Sequence, residues 1–193
     1  MFTMRVDDEI ELGLFEERHA QALFELTDHN REHLREWLPW VDSTTSVEDS
    51  LNFIRVSLEA FSYNNGFPVG IWYKGQLAGC IAYHYFAWNT RRTEIGYWLG
   101  EDFTGKGLMT RATRKLIEYG FGELGLNRIE IRCAPGNLKS QAIPERLGFV
   151  QEGILRQVGI IHDGIVVDMV IYGLLADEWS HTKEVAENVQ PES

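Results

Sequence analysis

Residues 94–110 read Glu-Ile-Gly-Tyr-Trp-Leu-Gly-Glu-Asp-Phe-Thr-Gly-Lys-Gly-Leu-Met-Thr. An apolar, β-prone run enters a Gly-Lys-Gly turn. A helical pattern leaves it, with Leu108, Ala112, Leu116 and Tyr119 on one face. Glycine reaches left-handed backbone conformations and lets the main chain approach a ligand closely. A helix start adds unbonded N–H groups and the positive end of the helix dipole. The segment therefore calls for an α/β fold in which a strand delivers the chain to an anion cradle, suited to a phosphate compound. A nucleotide-binding P-loop is one version of this. Gly100, Gly105 and Lys106 fit G-x-x-x-x-G-K, but Gly107 stands where a Ser or Thr should hold Mg²⁺. A turn that merely joins strand to helix is another version, and the local pattern leaves both open.

The remaining elements alternate between strand and helix. Residues 9–14 read as a first strand, followed by helical patterns over 19–27 and 30–37. Residues 38–45 form a loop broken by Pro39. Ser46 is placed to cap the next helix with Asp49 as its capping-box partner, and Val47, Leu51, Ile54, Leu58 and Phe61 recur at helical spacing. Residues 67–73 and 76–86 make a hairpin through Lys74-Gly75. A strand at 93–99 leads to the cradle, and a helix covers 107–124. A strand at 128–133 and a short helix at 140–146 come next. A last hairpin pairs 149–160 with 165–174 through His162-Asp163-Gly164. The 193 residues suffice for one buried core. One domain is expected over 1–181, followed by a polar acidic tail at 182–193.

A second segment shifts the balance in how the cradle is to be read. It runs Asn137-Leu138-Lys139-Ser140-Gln141-Ala142-Ile143-Pro144-Glu145-Arg146-Leu147-Gly148-Phe149, with Glu152-Gly153 and Arg156 beyond. Together with Glu94-Ile95-Gly96-Tyr97-Trp98-Leu99 and Gly105-Lys106-Gly107, it closely resembles the GNAT (GCN5-related) N-acetyltransferases. Within them it is most similar to the RimJ/RimL branch, which acetylates protein N-termini. The resemblance covers most of the chain, from about Ile10 to Trp179. It implies a single-domain α/β GNAT fold with a mixed, twisted central sheet flanked by helices, and acetyl-CoA as co-substrate without a metal.

The resemblance also implies roles. The main chain of Gly105, Lys106, Gly107, Leu108 and Met109 would hold the CoA pyrophosphate. Thr104 replaces the usual Gln or Arg, and Met109 the usual Gly or Ala. Tyr97, Trp98 and Leu99 would flank the pantetheine arm where the strand splays, with a backbone N–H near Leu99 polarising the thioester. Asn137 would bond the pantetheine amides. Many members place a tyrosine acid where this chain has Pro144, which has no proton to give. Ser140 then becomes the donor to the departing thiolate, although a helix cap is an equally good reading of a serine there. Pro144 also argues for a short helix beginning near Ser140. Glu94 is the candidate base, acting through a water, with a structural carboxylate as the alternative. A glutamate that the branch carries a few residues past Arg156 is Gly159 here. Asp168 and His162 suit turn and surface roles better than catalytic ones.

Partners follow from charge and aromatic content. The formal charge of −11 disfavours nucleic acid and suits a cationic acceptor. An acidic surface also serves solubility alone. Trp37, Trp40 and Trp88 lie at loop edges, where the resemblance places the acceptor groove, and aromatic residues commonly line pockets. The first residues lack a signal-peptide core, and no apolar run nears the ~20 residues of a membrane span. A cytoplasmic protein with buried free thiols at Cys80 and Cys133 is expected. The resemblance implies an α-amine as the acceptor, that of a protein N-terminus, with a homodimer compatible. A small amine or polyamine, a CoA-binding module without activity, and a Mg²⁺-dependent ATP-binding protein are the alternatives.

Overall fold

The computed structural model describes residues 2–180; the tail expected at 182–193 lies outside the described residues. The strands are β1 (Thr3–Arg5), β2 (Ile10–Leu14), β3 (Phe67–Tyr73), β4 (Gln76–Ala87), β5 (Arg92–Leu99), β6 (Arg128–Cys133), β7 (Val150–Ile160) and β8 (Val166–Leu175). They form one sheet in the order β1-β2-β3-β4-β5-β6-β8-β7. Its neighbours are antiparallel except for β5 and β6, so the sheet is mixed as expected. The helices are α1 (Ala20–His29), α2 (Arg31–Arg35), α3 (Val47–Ser62), α4 (Leu108–Gly122) and α5 (Leu138–Arg146).

Two apolar clusters sandwich the sheet. Leu23 of α1 and Ile54 of α3 pack with Leu77 and Cys80 of β4 on one face. Leu108, Ala112, Leu116 and Ile117 of α4 pack on the other with Ile81, Ile95 and Ile129. This alternation along β4 and β5 follows from side chains pointing to opposite faces of a strand in turn. Cys80 and Cys133 are buried free thiols.

Local chemistry explains the elements. The Lys74-Gly75 hairpin turns on left-handed backbone at both residues, φ 51° and 80°. Ser46 and Asp49 form the reciprocal capping box of α3, Ser46 N–H donating to Asp49 Oδ2 at 2.9 Å.

The structure corrects the sequence reading in three places. β1 was absent from it, because three residues carry no usable period. The expected loop at 38–45 winds into a 3-10 turn over Pro39–Ser43, with Pro39 at its first position. The short helix α5 begins at Leu138, not near Ser140, because Asn137 is its cap and accepts the Ser140 N–H at 3.1 Å. Pro144 lies inside that helix, as the expected span of 140–146 already had it. The P-loop reading also loses its setting, since β5 has an antiparallel neighbour on one side.

Candidate active site

β5 and β6 pair only at Arg92–Arg128, Thr93–Ile129 and Glu94–Glu130. Past that point each keeps its other neighbour, β5 as far as Gly79–Leu99 and β6 as far as Cys133–Val170. The sheet therefore opens between two strands that are each held on their far side. The Gly100 N–H donates to Ala78 C=O at 2.9 Å, toward β4. Because successive strand residues alternate, the N–H groups of Leu99 and Tyr97 turn the other way, into the opening.

The cradle lies at the end of β5. Gly105 and Gly107 have φ of 75° and 71°, and nothing stands within 4 Å of where a side chain would begin on either. Arg111 N–H donates to Gly107 C=O at 3.1 Å, so the amides of Leu108, Met109 and Thr110 precede the helical ladder. The Leu108 and Met109 side chains are core residues, leaving their main chain as the binding element. Lys106 bends back to the Asp102 carbonyl and over the Phe103 ring, so its ammonium does not reach across the cradle. Buried Asn30, at the end of α1, accepts the Glu101 N–H at 2.7 Å and fixes the approach to the turn. The sequence reading had no signal for Asn30.

Ser140 sits in the first turn of α5, its Oγ 3.2 Å from the Cys133 sulfur. Burial pushes the Cys133 thiol up to about 11. Pro144 lacks the N–H that would bond the Ser140 carbonyl four residues back. The Tyr97 hydroxyl donates to that carbonyl instead, at 2.9 Å, and burial raises the Tyr97 pKa well above its ordinary value.

A cleft of ≈ 900 Å³ runs along the α1–α3 face of the sheet and reaches Ser140 and Cys133. Trp37, Trp40 and Phe53 form one wall, and His84, Glu94 and Trp98 the other. The Trp40 and Trp98 rings lie 5.8 Å apart. Trp98 thus serves this face rather than only the opening. Trp88 is no part of the cleft wall; it packs on Phe86 and donates to Asn64 C=O at 3.0 Å. The β7–β8 tip closes the far end, with His162 Nδ1 3.1 Å from Glu36 O and Arg35 3.8 Å from Asp163. Gly159 also lines the cleft. Asp168 accepts the N–H of left-handed Gln157 at 2.9 Å, stabilising a bulge in β7.

Glu94 is held between two partners on the cleft wall. Its Oε1 is 3.4 Å from His84 Nδ1, and its Oε2 is 3.1 Å from Arg132 Nε. His84 and Arg132 were not singled out by the sequence, which carries no motif around either.

Comparison with known proteins bears on all of this. Residues 9–150 match the profile described as an Acetyltransferase (GNAT) domain. The Bacillus subtilis (strain 168) protein named "Putative ribosomal N-acetyltransferase YdaF" is 40% identical over 184 residues, covering 95% of this chain and 100% of its own. RimL, a ribosomal α-N-protein acetyltransferase solved with coenzyme A, superposes with a TM-score of 0.87. It is 25% identical over 92% of this chain and 99% of its own. The microcin self-immunity acetyltransferase MccE, solved with acetyl-CoA and AMP, gives a TM-score of 0.85. It is 32% identical over 89% of this chain and 95% of its own.

Proposed function

The chain belongs to the GNAT acetyltransferase family, and from that premise we propose that it moves an acetyl group from acetyl-CoA to the α-amine of a protein N-terminus, that of a ribosomal protein. The observation that carries the reading is the opening between β5 and β6, which begins past Glu94–Glu130 and lies between the glycine cradle and the aromatic cleft. Acetyl-CoA supplies the acetyl group as a thioester. The residues fit it, because the space at Gly105 and Gly107 is open and the amides of residues 105–109 would hold the pyrophosphate. Tyr97, Trp98 and Leu99 would flank the pantetheine arm. Asn137 has one side-chain oxygen committed to capping α5 and would offer its NH₂ to the pantetheine amides. The Leu99 N–H, on the open side of β5, would stabilise negative charge developing on the carbonyl oxygen. Ser140 Oγ would hold the proton that the departing sulfur needs. Glu94 is the carboxylate on the acceptor side, where a proton must be removed.

Two arguments favour an α-amine over a lysine. RimL is named for α-N-acetylation of a ribosomal protein. An α-amine with a pKa of about 8 is roughly one-tenth neutral at pH 7, whereas a lysine at about 10.4 is neutral about once in several thousand. A site in which Glu94 is already shared with Arg132 and His84 suits the amine that needs the least deprotonation.

Peptides with a free N-terminal Ser or Ala are the test. They are expected to gain one acetyl group at the N-terminus at neutral pH, located by mass spectrometry. The same peptides with a blocked N-terminus and an internal lysine should react poorly. Acetylation confined to lysine or to a polyamine such as spermidine overturns the acceptor and leaves the family membership intact.

A further inference from the structure

Both Glu94 oxygens are engaged, one by Arg132 and one by His84. Paired in charge with the Arg132 guanidinium, this carboxylate is held back from an ammonium group in the cleft. His84 has the opposite character. Its side chain is 49% exposed, against 16% for Glu94, and it lines the cleft. The Nε2–Cε1 edge of its ring stands over Gly96, where a Cβ would lie only 2.1 Å from Nε2 and 2.4 Å from Cε1. Only glycine leaves room for the imidazole at this point of the strand. The ring thus takes its place on the cleft face of β5, between Glu94 and Trp98, with Nδ1 toward the carboxylate.

Resting on the acetyltransferase reading, we infer that His84 is the catalytic residue that takes the acceptor's ammonium proton, through Nε2, and that Glu94 is the positioning residue that holds its Nδ1–H. A carboxylate accepts the Nδ1–H and cannot donate, so a neutral ring carries its lone pair on Nε2. The 3.4 Å separation is long for such a bond; hydrogen bonds of catalytic groups often tighten only with substrate in place. The charged groups facing the ring are Glu94 from β5 and, behind it, Arg132 from β6. Asp49, at the start of α3, also lines the cleft, and its Oδ2 accepts the Thr45 and Ser46 N–H groups at 2.9 Å in capping that helix.

One proton passes from the ammonium group to Nε2. The freed nitrogen lone pair attacks the thioester carbonyl carbon, and the C–S bond breaks. The second proton, lost by the nitrogen as the amide forms, ends on the sulfur by way of the Ser140 hydroxyl. His84 returns the first proton to water.

Two measurements test the assignment. ¹⁵N NMR of the imidazole in the folded protein, without substrate, is expected to show the Nδ1-protonated neutral ring, and Glu94→Gln to lose that preference. A neutral ring protonated on Nε2 overturns the inference. In kinetics with an N-terminal Ser peptide, His84→Ala is expected to lower kcat by about 10²-fold with KM for acetyl-CoA unchanged. Added imidazole should restore part of the rate. The deficit should narrow as pH rises past about 8, where the amine deprotonates unaided. His84→Gln keeps the side-chain bulk and serves where Ala loosens the fold; stabilisation by acetyl-CoA confirms that either variant is folded. Retention of kcat within about threefold of the parent overturns the role of His84 alone. Transfer by the parent protein is scored first, so failure of the acetyltransferase reading is seen separately and takes the inference with it.

Discussion

Pro144 changes what surrounds Ser140. A proline inside a helix withholds the N–H due to the residue four back and crowds its carbonyl. Here that carbonyl belongs to Ser140, and the Tyr97 hydroxyl fills the gap at 2.9 Å. A tyrosine on β5 and a proline on α5 are thus complementary, and together they tie the opened strand to the helix that carries the candidate acid. The pair can be tested as a cycle. Tyr97→Phe should destabilise the fold by about 1–2 kcal/mol, the cost of a polar group left without its partner. Pro144→Ala in that background returns an N–H to the helix and should recover most of the loss. Chemical denaturation of the four proteins measures the coupling. Additive effects would show that the Tyr97 bond and the missing N–H are unrelated.

At the scale of elements, the cradle is a left-handed Gly-Lys-Gly turn running into α4, and its function is to keep space empty. Binding confined to the native state stabilises by RT ln(1 + [L]/Kd), about 2.7 kcal/mol at a hundredfold excess over Kd. Acetyl-CoA is expected to give such a rise in thermal unfolding, and ATP with Mg²⁺ none. Gly107→Val should abolish the rise, since a β-branched residue is strained at φ 71° and intrudes on the anion's place. An undiminished shift in a folded Gly107→Val protein would remove the cradle from the site. Elements of this kind were legible because their causes are local. The glycine turn, the Ser46–Asp49 box and the Lys74-Gly75 hairpin are each written within a few residues. The start of α5 was misplaced because Asn137 and Ser140 are both good caps, and only side-chain geometry chooses between them. The opening at Glu94–Glu130 came from the family resemblance and not from any pattern, since where two strands stop pairing depends on their other neighbours. His84 was invisible for the same reason. It matters because Ala82 pairs with Gly96 across β4 and β5, a register that no stretch of sequence states.

Over the whole molecule, charge is organised at two depths. Inside, Glu130 is only 4% exposed and is shared by Arg92, Arg128 and Arg132. Arg132 continues to Glu94, and Arg128 to Glu152. Burial alone would push the Glu130 carboxyl up, but the Arg128 and Arg132 guanidiniums outweigh it and hold the group below its ordinary range. The folded state therefore binds fewer protons there than the unfolded chain, and that stability is present at neutral pH and lost as acid titrates the group. This lattice fixes Glu94 from behind and leaves His84 to face the cleft. Outside, 29 acidic residues against 18 basic ones give the formal charge of −11. Such a field draws a basic peptide toward the molecule and raises its encounter rate by about 10-fold to 10³-fold at low salt. Screening removes the attraction, because the Debye length shrinks from about 8 Å at 0.15 M salt to about 3 Å at 1 M. For a peptide with a free N-terminal Ser followed by lysines and arginines, kcat/KM is expected to fall about tenfold or more between low and high salt. The kcat should hold steady, since proton transfer and acyl transfer occur within the cleft. A neutral peptide with the same N-terminal residue should show little change and controls for salt acting on acetyl-CoA. Equal salt responses for the two peptides would assign the acidic surface to solubility and leave the acceptor to be chosen by the Trp37, Trp40 and Trp98 walls.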